Sequence, residues 1–139
     1  MAANSRFAVS VHTLLAMACR KEDEYVTSEY IAKSVNTNPV VIRRILQALT
    51  LKKLVNCQPG KKGGSRLAKA PEKITLLDIY EAVQSEELFA LHEKPKNKAC
   101  RISCNIKSIL NGVFGTAEEA MKLNLKKTTL ADLISQVDA

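Results

Sequence analysis

The stretch TSEYIAKSVNTNPVVIRRILQALTLKKLV, residues 27–55, decides the fold. Thr27 is a good helix cap, and Ile31, Ala32 and Val35 then share one face of a short helix that Asn36 and Thr37 break. Asn38 caps a second helix with Pro39 in its first turn, where the missing N–H costs no hydrogen bond. Val41, Ile45, Leu46 and Leu49 supply its buried stripe, and Arg43 and Arg44 fall on the other side. Two short helices across a tight polar turn, the second with a basic outer face, make a helix-turn-helix.

Downstream, LVNCQ (54–58) and SRLAKA (65–70) are extended runs on either side of PGKKGG (59–64), which reads as a β-hairpin with a basic tip. A hairpin so placed beside a helix-turn-helix is a wing. Pro71 closes it, and Thr75 caps LLDIYEAV, whose Leu76, Ile79, Tyr80 and Val83 form an apolar face; Asp78 there is expected to accept a structural hydrogen bond. Upstream, RFAVSVHTLLAMAC (6–19) resembles a signal or lipoprotein cleavage site. Ser10, His12 and Thr13 interrupt its apolar run, however, while Phe7, Ala8, Val11, Leu14, Leu15 and Ala18 recur at helical spacing as a core-facing stripe.

Residues 85–101 read as a linker, with HEKPKNKA nearly devoid of apolar character. From Ile102 the residues Ile106, Ile109, Leu110, Val113, Ala117, Ala120, Met121 and Leu125 recur every three or four positions, too long and one-sided a helix for so small a core. Its expected outlet is a helix-to-helix homodimer interface, in which Gly112 and Gly115 could mark a close crossing. Thr128 or Thr129 can cap a closing helix, LADLISQV. The expected fold class is mainly α with a small β-hairpin wing. Residues 1–84 form the winged helix-turn-helix, 85–101 a linker and sensor region, and 102–139 the dimerisation and C-terminal helices, within one compact domain.

The 139 residues carry 21 Lys+Arg against 14 Asp+Glu, a net charge of +7 that favours a polyanionic partner: nucleic acid or an acidic membrane surface. Aromatic residues are only 4% and Trp is absent, which argues against a single-strand binder built on base stacking and for duplex DNA read by helices. No run reaches the ~18 apolar residues of a membrane span. The chain therefore reads as cytoplasmic, with its four cysteines reduced.

YIAKSVNTNPVVIRRILQALTLKKLV followed by GKKGGSRLAKAPEKITLLDIYEAV resembles the recognition helix, the Gly-Gly wing and the Pro-x-x-Ile-x-Leu-x-Asp-Ile-x-x-Ala-Val stretch of the Rrf2 family of bacterial winged helix-turn-helix regulators. The resemblance runs from Phe7 to about Val137 and is tightest over residues 27–83. It implies a homodimer on a pseudo-palindromic operator, usually a repressor, often with a cofactor or metabolite signal. Cluster-binding relatives carry three cysteines in the linker region, where this chain has two.

The candidate DNA contacts are Thr27 and Ser28 at the first helix start, Asn38, Val40, Arg43 and Arg44 on the early turns of the second, and Lys61, Lys62, Ser65 and Arg66 on the wing. Val40 could touch a thymine methyl, Arg43 or Arg44 a guanine or a phosphate, and Ser65 a phosphate; Gly63 and Gly64 serve conformation. The basic wing lacks the Gly-Lys-Ser/Thr order of a phosphate-binding P-loop.

Cys100 and Cys104 open the long helix. With His92, or with a partner subunit's pair, they could hold zinc or an iron–sulfur cluster; beside Lys96, Lys98, Arg101 and a helix N-terminus they could instead be reactive thiols sensing redox or electrophiles, or simply small residues. Cys19 and Cys57 lie in apolar patterns and are expected to pack, and His12 to be partly buried with a partner. No Ser/His/Asp or paired-carboxylate set suggests a hydrolase, so no enzymatic activity is expected. The rival reading is a thiol-based redox or metal-binding protein using Cys100 and Cys104.

Overall fold

A computed structural model describes residues 5–20, 24–84 and 87–137. In chain order these form α1 (Ser5–Ala18), α2 (Ser28–Val35), α3 (Pro39–Leu51), β1 (Val55–Gln58), β2 (Gly64–Leu67), a single 3-10 turn (Pro71–Lys73), α4 (Leu76–Val83), α5 (Arg101–Lys126) and α6 (Leu130–Val137). The fold is mainly helical with one two-stranded antiparallel hairpin, β1 pairing β2 with Val55 opposite Leu67 and Cys57 opposite Ser65.

Helix boundaries follow local chemistry. The Thr27 hydroxyl accepts from the Tyr30 amide, and the Asn38 side-chain oxygen accepts from the Val40 amide at 2.9 Å, with Pro39 in the first turn of α3. Asn36 ends α2 in the left-handed conformation (φ 66°), which an asparagine tolerates better than most residues. Thr75 and Asp78 form a reciprocal capping box at α4, and Thr129 with Asp132 repeats it at α6.

The core gathers Leu14, Ile31, Ile42, Ile45, Leu49, Leu54, Ile74, Ile79 and Leu130 from α1, α2, α3, the segments flanking the wing, α4 and α6. Truncating any one to Ala would cost about 2–5 kcal/mol. Leu130 of α6 is fully buried in the winged unit, and its amide donates to the Ile74 carbonyl while the Leu76 amide donates to Thr128. Helix α5 contributes no buried residue; Phe114 stacks on Phe89 at 4.9 Å, and the helix lies against α4.

Several expectations about burial are corrected. On α1 Leu14 is buried as expected and Phe7, Val11, Leu15 and Ala18 pack half-buried against the core, but Ala8 is exposed, and Ser10, Thr13 and Met17 are buried as well. The Ser10 and Thr13 hydroxyls donate to the Arg6 and Val9 carbonyls at 2.7 and 2.8 Å, so both enter the interior already satisfied. On α3, Ile42 is fully buried while Val41 is half-buried, leaving Ile42, Ile45, Leu46 and Leu49 as the stripe. Cys19 and Cys57 are exposed rather than packed. His12 is exposed too, with Nε2 2.9 Å from the Ser34 hydroxyl.

Gly112 and Gly115 have nothing within 4 Å of where a Cβ would stand, so no close crossing occurs there among the described residues.

Candidate nucleic-acid interface

The sequence pattern that buries Ile42, Ile45 and Leu49 must turn the other side of α3 to solvent. Asn38, Val40, Arg43, Arg44 and Gln47 are all exposed there. Thr27 is exposed and Ser28 half-buried at the start of α2. The outer surface of α3 and the hairpin bound one open groove of about 700 Å³, lined by Ser28, Arg43, Gln47 and Thr50 on the helical side and by Cys57, Gln58, Gly64 and Ser65 on the wing.

The wing is held by backbone. Val26 bridges Ser65 through two hydrogen bonds, N to O in both directions at 2.8 Å, which adds a third extended segment to the hairpin and ties it to the start of α2. Two glycines permit this. A Cβ on Gly63 would strike the Gln58 carbonyl, and one on Gly64 (φ +147°) would stand 2.5 Å from the Val26 carbonyl oxygen. Lys61 and Lys62 lie at the exposed tip.

Not every wing residue faces outward. Ser65 is 3% exposed, and its hydroxyl lies 3.2 Å from the Cys57 thiol, so it is turned inward and not toward an approaching phosphate. The physical reason is strand alternation: Ser65 opposes Cys57 in the hairpin, and its neighbour Arg66 points to the other face, where its guanidinium covers the Tyr25 ring at 4.6 Å. The Cys57 thiol is also 3.4 Å from the Thr50 hydroxyl.

Electrostatics on α3 are less uniform than its basic pattern suggests. Arg43 Nη2 donates to Glu29 Oε1 at 2.7 Å, joining α3 to the first turn of α2, while Arg44 has no ion-pair partner among the described residues. The Glu29 carboxyl titrates below its ordinary value, mainly through a hydrogen bond to its own backbone and then through Arg43. Sequence reasoning passed over both Glu29 and Gln47. Gln47 sits one turn beyond Arg43, a spacing that put it on the same face; Glu29 lies 14 residues away and leaves no comparable local signal.

At the start of α5, Cys100 is the N-cap residue, half-buried, and Cys104 is exposed, its thiol 3.8 Å from the Asn97 and Lys98 carbonyl oxygens. His92 is exposed in the preceding segment. Among the described residues no group of three or more His, Cys, Asp or Glu converges to hold a metal, so His92 does not complete a site with the two cysteines. An iron–sulfur cluster needs about four such ligands. The set within one chain does not fit it.

Along α5, Ile102, Ile109, Val113 and Leu123 are between 57% and 70% exposed, a solvent-facing apolar row on a 26-residue helix. Among the described residues no helix is long and apolar enough to cross a membrane.

Comparison with known proteins agrees with this architecture. Residues 3–136 match the family described as Rrf2, iron-dependent transcriptional regulator. YwnA of Bacillus subtilis strain 168, named as a candidate HTH-type transcriptional regulator, is 41% identical over 135 residues, covering 96% of this chain and 98% of YwnA. A crystal structure of a protein described as a candidate DNA-binding protein is 36% identical with a TM-score of 0.75, over 94% of this chain and 99% of the other. A candidate transcriptional regulator from Lactobacillus plantarum superposes with a TM-score of 0.83 at 28% identity, over 96% of this chain and 90% of the other. The chain belongs to the Rrf2 family of transcription regulators, winged-helix proteins with a DNA-binding fold that are not enzymes.

Proposed function

We propose that the protein is a homodimeric repressor that binds a pseudo-palindromic duplex operator. The observation that carries the reading is the exposed outer face of α3, with Arg43, Arg44 and Gln47, beside a hairpin whose exposed tip carries Lys61 and Lys62. In this reading α3 enters the major groove with Val40, Arg43, Arg44 and Gln47 toward base edges or phosphates. Thr27, Ser28 and Asn38 lie at the helix starts facing the backbone, and Lys61 and Lys62 contact flanking phosphates. Arg66, stacked over Tyr25, offers in-plane N–H donors to a flanking phosphate.

The homodimer is supported by the apolar row of α5, in which Ile102, Ile109, Val113 and Leu123 are exposed. Two copies related by a two-fold axis would place their recognition helices in successive major grooves, about 34 Å apart. A dimer seated across a promoter excludes polymerase, which is repression.

The signal is assigned to Cys100 and Cys104, at the junction between the DNA-reading half and α5. A peroxide would take two electrons and two protons from the pair, forming one S–S bond and releasing two waters. Cys104 is accessible for the first attack. A partner subunit's cysteine is the other candidate for the second sulfur.

A gel-shift titration on genomic fragments at several salt concentrations tests the reading. Specific binding should survive competitor DNA and weaken steeply with salt. Arg43→Ala with Arg44→Ala should abolish it while leaving the dimer intact. Indifference to every fragment under reducing, oxidising and metal-loaded conditions would refute it. The absorption spectrum and metal content of anaerobically purified protein separate thiol sensing from a cluster shared between subunits.

A further inference from the structure

The acidic partner of Arg43 is out of place on a surface meant for phosphates. Glu29 is exposed, sits in the first turn of α2, and holds Arg43 Nη2 at 2.7 Å across the turn that separates the two helices. Folding does not require the pair. Both side chains are more than half exposed, and such ion pairs add little stability. Its position at the rim of the groove, where Arg43 is a lining residue, gives it another consequence.

An arginine has five N–H donors in one plane, and reading a guanine needs two of them aimed together at O6 and N7. An untethered guanidinium swings freely and pairs with whichever phosphate is near, which strengthens binding to all sequences alike. A carboxylate bound to one Nη occupies a donor from that pool and narrows the orientations open to the rest. It also repels phosphates that approach without the compensating base contact.

We infer that Glu29 is a positioning residue that sets DNA sequence specificity by holding the Arg43 guanidinium for base readout and denying it to the phosphate backbone. The inference rests on the DNA-binding reading above. Glu29 acts only through Arg43 and contacts no base itself.

The test begins with a duplex enriched by the wild-type protein from a random-sequence pool, compared with a scrambled duplex of the same composition. Glu29→Ala should bind the scrambled duplex several-fold more tightly and the enriched duplex no better. The ratio of the two affinities should fall about tenfold, the scale of one good base contact. The salt slope on the scrambled duplex should steepen by about one, as Arg43 takes up a phosphate. Glu29→Gln keeps an oxygen acceptor at the same reach and should retain part of the ratio; it also stands in if the Ala variant weakens the start of α2.

In an Arg43→Ala background, Glu29→Ala should leave the ratio unchanged, because the residue through which it acts is gone. An equal gain on both duplexes, the same effect without Arg43, or no effect at all would overturn the inference while leaving DNA binding intact. Enrichment of no sequence by the wild-type protein would instead overturn the DNA-binding reading, and the inference with it.

Discussion

Gly64 approaches Val26 so closely that a Cβ on Gly64 would stand 2.5 Å from the Val26 carbonyl oxygen, at a backbone φ of +147°. This approach is where the wing joins the body of the protein: the next residue, Ser65, exchanges both backbone hydrogen bonds with Val26. Gly64→Ala should therefore lower stability by about 1–3 kcal/mol, from backbone strain together with the loss of the bridge. Thermal denaturation measures the first effect. Gel shift should show weakened DNA binding at temperatures where the variant is still folded, because the lysine tip is no longer anchored.

Tyr80 is 6% exposed, packs edge-on to Phe7 at 5.5 Å, and its hydroxyl has no hydrogen-bond partner among the described residues. A buried hydroxyl without a partner opposes folding, so Tyr80→Phe should be neutral or stabilising by up to about 1 kcal/mol. Burial, and then the nearby Glu118 carboxylate, raise the Tyr80 pKa above its ordinary value of 10.0. Above that pH the unfolded chain releases the proton before the folded one does. Stability should fall as pH rises past 10, and the Phe variant should lose this part of the alkaline decline. Melting curves between neutral pH and pH about 11 check both statements.

The exposed row on α5 makes a separable prediction. Ile109 is 57% and Val113 59% exposed, so Ile109→Glu with Val113→Glu should leave the winged unit folded, with an unchanged far-ultraviolet spectrum. Sedimentation should show a monomer for this variant and, on the proposed assembly, a dimer for the wild type. Operator affinity should drop by orders of magnitude, because each half-site would bind alone.

Lys53 adopts a left-handed conformation (φ 61°) just after α3, where the Leu54 amide returns to the Leu49 carbonyl. A side chain is disfavoured there, and the position is exposed, so its removal should leave the surrounding packing undisturbed. Lys53→Gly should stabilise the protein by about 0.5–1 kcal/mol, read from denaturant titration.

The legible parts of this protein were those governed by near neighbours in the chain. Thr27, Asn38 with Pro39, and the Thr75–Asp78 pair announced their helices because a cap acts over two or three residues. The hairpin followed from its glycines, and the second helix's outer face from the stripe beneath it. The reading of α1 as a helix with a core-facing stripe holds for Phe7, Val11, Leu14, Leu15 and Ala18, and fails at Ala8, which is exposed. Apolar periodicity treats Ser10 and Thr13 as outward residues, and it does not register that their hydroxyls are satisfied within the previous turn.

The sequence by itself determined the element order, the helix-turn-helix with its wing, the basic outer face of α3, and a long one-sided helix, because each is a matter of local dihedrals and side-chain period. Only the tertiary structure decided that Ser65 turns inward against Cys57, that α6 returns to bury Leu130 in the winged unit, that His92 stays apart from Cys100 and Cys104, and that Glu29 holds Arg43. Those outcomes join residues distant in the chain, and their geometry is set by how the helices and the hairpin pack around one core.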